Sequence, residues 1–233
     1  MKGDTLLRKV KMSEDKKPHY YPKNLRFSFD LETTGLIHEM PDGQPYLTEL
    51  AMVPIDIEKK TLDESRVLHM YLKTPDFAEL EKMGKVSKFV KKDENLRNVC
   101  KKAAEEGISS EQARIAIEDY LKSFQIAPEK GVSSKKAMIL SKSIAGLDRP
   151  MLCQYFGDQW VEEYFSHRMT DLSSCIGMIV DANLGILSSK STGKVIEETI
   201  GGGKIPHTAR EDAVILANVY LSLLQKLEDK LLN

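Results

Sequence analysis

Residues 25–31 run apolar, basic, apolar, small, apolar, acidic, apolar, and that alternation constrains the chain more than any other feature. It predicts a strand with Phe27, Phe29 and Leu31 on one face and Arg26, Ser28, Asp30 and Glu32 on the other. Asp30 and Glu32 then point the same way, roughly 6.5–7 Å apart along the backbone. Two bare carboxylates that close repel, and one is pushed toward its neutral form. A divalent cation taking oxygen ligands from both removes the conflict. Thr33, Thr34 and Gly35 close the strand with a turn.

A second acidic element lies near the other end. Thr208 followed by Glu211 reads as a capping box, which predicts a helix from about Ala209. Apolar residues then recur at Ala213, Leu216, Val219, Tyr220, Leu223, Leu224 and Leu227, a helical stripe. His207 falls on the loop before the cap, and Asp212 one turn into the helix. Between the two elements, the apolar run 137–140 predicts a short buried strand. Asp148 follows it at the start of a helix through Met151, Leu152 and Tyr155, with Pro150 in the first turn. Asp148 reads either as a metal carboxylate or as a plain N-cap.

The ordered set Asp30, Glu32, Asp148, His207 and Asp212 resembles the DEDDh superfamily of 3′→5′ exonucleases. Within it the chain is most similar to the oligoribonuclease branch. Asp-Leu-Glu-x-Thr-Gly-Leu, Ser143-Ile144-Ala145 ahead of Asp148-Arg149, and the segment from Tyr164 to Ser173 carry that likeness. The sequence departs from the branch at Thr33, where methionine is usual, at Ser143-Ile144 in place of an Asn-Ser pair, and at His167 in place of tyrosine. The segment 188–206, with Gly201-Gly202-Gly203, is also longer than the branch has.

The resemblance implies an α/β, ribonuclease H-like exonuclease fold with a mixed central sheet and helices on both faces. It implies two Mg2+ or Mn2+ ions held by Asp30, Glu32, Asp148 and Asp212. His207 would be the general base, since an imidazole titrates near pH 6.5 when unperturbed. Leu36 would wedge against terminal bases, and backbone N–H groups from Thr33 to Gly35 would meet the terminal sugar. Ser143, Arg149, His167 and Arg168 are candidates for phosphate contacts, with Arg168 alternatively paired to Asp171. The implied substrate is short single-stranded nucleic acid, RNA favoured, cut to nucleoside 5′-monophosphates by a homodimer. A DNA exonuclease is the competing activity, mildly favoured by Thr33-Thr34. A binding protein that keeps the fold without turnover is the competing class.

Composition sets outer bounds. The 233 residues carry a formal net charge of −1, unlike a strong duplex binder. There is no apolar run long enough to span a membrane. Cys100, Cys153 and Cys175 form no Cys-x-x-Cys and cannot all pair, which points to a reducing intracellular compartment such as the cytoplasm. Residues 1–24 read as a lysine-rich tail and 25–233 as one domain. Strands are expected over 48–57 and 66–72, joined by a turn at 58–60. Helices are expected over 79–104 and over 110–124, the second capped by Ser110.

Overall fold

The computed structural model describes residues 24–40, 42–128, 136–199 and 206–232. Most of the expected N-terminal tail and Gly201-Gly202-Gly203 lie outside these. The alternating segment forms β1 (Leu25–Thr33), with Phe27 and Phe29 fully buried. It pairs antiparallel with β2 (Leu47–Asp56), a strand buried along its whole length. Two short strands, β3 (Thr61–Leu62) and β4 (Leu68–Tyr71), add antiparallel to β2. The turn at 58–60 is therefore a hairpin into β3, and the expected strand over 66–72 is shorter, preceded by a 3₁₀ turn at Glu64–Arg66.

The expected helix over 79–104 is three helices: α1 (Phe77–Lys82), α2 (Lys88–Lys92) and α3 (Glu94–Glu106). Gly84 in a left-handed conformation ends the first. Side chains then restart the chain twice, as Ser87 accepts from Val90 N–H and Asp93 from Leu96 N–H. Lysine-rich composition concealed those two caps. Helix α4 (Ser110–Lys122) is capped by Ser109 rather than Ser110, in a full capping box with Gln112.

The chain crosses to β5 (Ile139–Ser141), parallel to β1, and later to β6 (Thr170–Asp171), parallel to β5. The sheet order is β3-β2-β1-β5-β6, with β4 also on β2. It is mixed, antiparallel at its start and parallel later. Between β5 and β6 lie a π-helical turn (Ile144–Asp148), α5 (Arg149–Phe156) and α6 (Asp158–Tyr164). After β6 come α7 (Leu172–Asp181), α8 (Thr192–Thr199) and α9 (Ala209–Leu232).

Both faces of the sheet are covered. Phe27, Phe29, Leu31, Leu50 and Met52 share one core with α4, α5 and α6. Ile55 and Leu140 share a second with α7, α8 and α9. The apolar stripe of α9 is buried within the one chain as far as Leu223, while Leu231 and Leu232 are exposed. The three cysteines are free. Among the described residues no helix is long and apolar enough to cross a membrane.

Phe27 ties the first core together. Its ring meets Phe124 at 5.3 Å and Tyr120 at 5.8 Å, both edge-on. Phe27→Ala should cost about 3–5 kcal/mol in denaturant unfolding, because the strand cannot collapse into the void. A loss under 1 kcal/mol would mean that this core is not the one that holds β1.

Candidate active site

The even-numbered residues of β1 face α9. Ser28 donates its hydroxyl to the Ala213 carbonyl at 2.7 Å, which seats the helix on the strand. Ala209 and Ala213 are small enough to lie flat against Ala51 and Val53 of β2. The helix begins where its cap predicts: Glu211 N–H donates to Thr208 Oγ1 at 3.4 Å, and Asp212 N–H to the Thr208 carbonyl at 2.9 Å. The Glu211 carboxylate accepts from the Thr208 hydroxyl at 3.0 Å.

This docking brings Glu32, His207 and Asp212 together. One ligand atom from each lies within 4.8 Å of the others. His207 takes a left-handed backbone, unusual for a residue with a Cβ, at φ 54°. Its N–H donates to the Asp212 carboxylate. Asp212 Oδ1 nevertheless has no hydrogen-bond partner although it is buried. A buried, unpaired carboxylate oxygen needs a ligand.

Asp30 and Asp148 complete the acidic cluster. Burial, then the charges of Glu32, Asp212 and Asp148, push Asp30 well above the usual carboxylate range, with Lys142 opposing. Burial, Asp212, Glu49, Asp93 and Asp148 do the same to Glu32. Burial raises Asp148 to about 7 despite a hydrogen bond from the Ser141 hydroxyl. Burial raises Asp212 to about 7, with Lys142 and the His207 N–H opposing. Asp148 is not an N-cap: its carboxylate makes no capping bond, and its hydroxyl partner lies back on β5. The π-helical turn lets α5 start without it.

The donor set is hard, mostly carboxylate oxygen with one imidazole. It suits an oxygen-seeking divalent cation such as Mg2+ or Mn2+.

The expected substrate contacts divide. Leu36 is 44% exposed, so it is no core residue. Gly35 is required by close approach: a Cβ there would come within 2.8 Å of Ser87 Cβ. Of the backbone donors expected to face a sugar, Thr34 N–H is spent on the Tyr46 carbonyl. Thr33 is buried with its hydroxyl on the Gly35 carbonyl. Ser143 is exposed just after β5, and Arg149 is half-buried at the start of α5. His167 and Arg168 are exposed ahead of β6, one strand beyond β5 from β1. Arg168 makes no ion pair with Asp171, whose carboxylate instead caps Ser174 N–H and accepts from Ile144 N–H.

Three residues at the site had no motif to announce them. Lys142 follows β5; Ser28 pairs with Leu140, and continuing that register by two carries Lys142 alongside Asp30. Phe89, 57% exposed on α2, sets its ring edge-on to His207 at 5.5 Å. Glu49 lies directly across from Glu32 on β2. Glu49 stands out as a carboxylate within the mostly apolar interior of β2, but nothing in the sequence marks it as a site residue.

No protein-family model matches the chain, and no curated protein matches it in sequence. Solved structures do match. The nuclease domain of 3'hExo, a DEDDh family member, bound to rAMP, superposes with a TM-score of 0.59 at 15% identity, over 88% of this chain and 93% of that one. A full-length 3'-exonuclease gives 0.59 at 15% identity over 88% of this chain, which spans 61% of its length. A 3'-exonuclease solved in 3'-end specific recognition of a histone mRNA stem-loop gives 0.55 at 15%, over 88% and 83%. At this identity the likeness is one of architecture: the chain has the α/β fold of the DEDDh 3′ exonucleases.

The raised carboxylates predict a pH dependence of stability. Asp148 and Asp212 sit near 7 in the folded protein, against about 3.9 in an unfolded chain. The folded state therefore holds more protons across that window. Their favourable contribution is full below about pH 4 and is lost as pH rises through about 7. In EDTA, Asp212→Asn should gain melting temperature over wild type between pH 5 and pH 8. Mn2+ should stabilise wild type more at pH 8 than at pH 5.5, because cation and proton compete for the same oxygens. Scanning calorimetry reads both, and an Asn variant that loses ground as pH rises would contradict the assignment.

Proposed function

We propose that this chain is a metal-dependent 3′→5′ exonuclease that removes nucleoside 5′-monophosphates from short single-stranded RNA, in the manner of the oligoribonuclease branch. The observation that carries the reading is the gathering of Glu32, His207 and Asp212, with a buried unpaired oxygen on Asp212. It stands on a fold shared with 3′ exonucleases, one bound to rAMP and another solved with an RNA stem-loop.

Asp30, Glu32, Asp148 and Asp212 would hold two Mg2+ or Mn2+ ions. When bound, such ions neutralise the charge of a phosphodiester and acidify a coordinated water. The chain's own residues do the rest. His207, on the loop ahead of α9, accepts the proton of the attacking water on its imidazole. Its loop is held to Asp212 by the His207 backbone N–H, which leaves the ring out of that bond. Leu36 and Phe89 offer exposed apolar surface on the His207 side, suited to stacking a nucleobase. Lys142, together with Arg149 and Ser143 on the β5 side, suits the phosphate. A net charge near zero fits a short strand held locally, because affinity for long duplexes requires many basic contacts.

The test is a gel-resolved time course on 5′-labelled dinucleotide, pentamer and 20-mer, as RNA and as DNA, with Mg2+, Mn2+ or EDTA. One-nucleotide ladders from the 3′ end, fastest on short RNA and absent in EDTA, are the expected result. His207→Ala should lower kcat by about 10²–10⁴-fold near pH 7, and Asp30→Ala by more. Faster decay of DNA keeps the chemistry and moves the substrate. Absence of any metal-dependent ladder leaves a binding protein on a nuclease fold.

A further inference from the structure

Glu49 is a carboxylate with no solvent exposure to speak of, 1%, directly across the β1–β2 ladder from Glu32. Its electrostatic influence reaches both Glu32 and Asp212. A carboxylate so placed would be an obvious further metal ligand, yet both of its oxygens are already used. Oε2 accepts from Ala209 N–H at 2.9 Å, and Oε1 faces His69 Nε2 at 2.5 Å.

The contrast with Asp212 decides what Glu49 is for. Asp212 presents a buried oxygen with no partner, whereas Glu49 presents none. The partner on Oε2 matters most. Ala209 is the first residue of α9, and its N–H is one of the helix's orphan donors. It lies between His207 and Asp212 in sequence. One side chain thus ties the strand opposite Glu32 to the turn that carries the other two members of the cluster.

His69 fixes the far side. It stands on β4 opposite Ala51, diagonal to Glu49 on the α9 face of the sheet. Its ring packs edge-on against Tyr71 at 5.0 Å, and the Tyr71 hydroxyl accepts from Lys102 at 3.3 Å.

We propose that Glu49, held by His69, is a positioning residue: it sets the separation between Glu32 on β1 and the His207–Asp212 turn, and so the width of the divalent-cation site. This rests on the metal-dependent reading above. No residue of the pair touches substrate.

The experiment uses the full chain and the variants Glu49→Ala, Glu49→Gln and His69→Ala. Three quantities are read: Mn2+ affinity and stoichiometry by electron paramagnetic resonance, kcat and KM on a short RNA, and melting temperature. Outer-shell groups of this kind change metal affinity or activity by about 10–100-fold. Glu49→Ala should weaken Mn2+ binding and lower kcat by about that factor, with KM within about 3-fold. Glu49→Gln should restore both to within about 3-fold of wild type. Its amide oxygen still accepts from Ala209 N–H, and its NH2 can donate to His69. His69→Ala should fall between, keeping a fold if Glu49→Ala does not.

Wild-type Mn2+ affinity in a folded His69→Ala or Glu49→Ala protein overturns the proposal, and so does a variant that loses only melting temperature. Loss of one bound Mn2+ in Glu49→Gln also overturns it, by making Glu49 a ligand. The nuclease reading fails separately, if wild type and Asp30→Ala are equally inactive while Mn2+ binding still responds to Glu49.

Discussion

Everything at the site hangs on how closely α9 lies across β1 and β2. Alanines at 209 and 213, both fully buried, set that distance, and the Ser28 hydroxyl pins the second of them by its carbonyl. The interface has no large side chain at its centre, so backbone approaches backbone. A bulkier residue at either position would lift the start of the helix. Asp212 and His207 would then move away from Glu32, since they share that first turn and its preceding loop. Shape at two methyl groups therefore controls chemistry at four carboxylates.

The closeness carries an electrostatic cost that the protein does not remove. Asp30, Glu32, Asp148 and Asp212 all lie above the usual carboxylate range, with burial as the first cause in each. Internal relief is partial. Lys142 opposes the rise at Asp30 and Asp212, the Ser141 hydroxyl at Asp148, and the His207 N–H at Asp212. Like charges in low dielectric would otherwise drive proton uptake. A fold that keeps such a cluster beside an unpaired oxygen is built for a cation rather than for its own stability.

Strand β1 and the cap of α9 were legible in the sequence because each rests on short-range geometry, and the four carboxylates with His207 were legible as an ordered set by resemblance. Alternation fixed the face of Asp30 and Glu32, and Thr208 with Glu211 fixed the start of the helix. Asp148 was ambiguous for the same reason. An aspartate before a helix looks like a cap, and only the long-range bond from Ser141 shows otherwise. The 77–106 region breaks into three helices because Gly84 ends the first and Ser87 and Asp93 cap the next two, local signals inside a lysine-rich run. Lys142, Phe89 and Glu49 were invisible as site residues, since register, helix packing and strand pairing bring each to the cluster. The Thr34 amide is committed by a turn whose partner at Tyr46 lies 12 residues on, which no local pattern announces.

The two sides of β1 give the proposed site a direction. On the β2 side stand Glu49 and, through α9 and α2, His207 and Phe89, with Leu36 just past the end of β1. On the β5 side stand Lys142 and Asp148, with Ser143 and Arg149 beside them. A terminal nucleotide has the same polarity, an apolar base at one end and a charged phosphate at the other. Binding in the reverse sense would set the phosphate against Phe89 and leave Lys142 facing a base. That arrangement would desolvate an anion on apolar surface, away from Lys142. The asymmetry of residues about one strand is thus enough to favour a single orientation of a nucleotide in the proposed site, before any hydrogen bond to a base is considered.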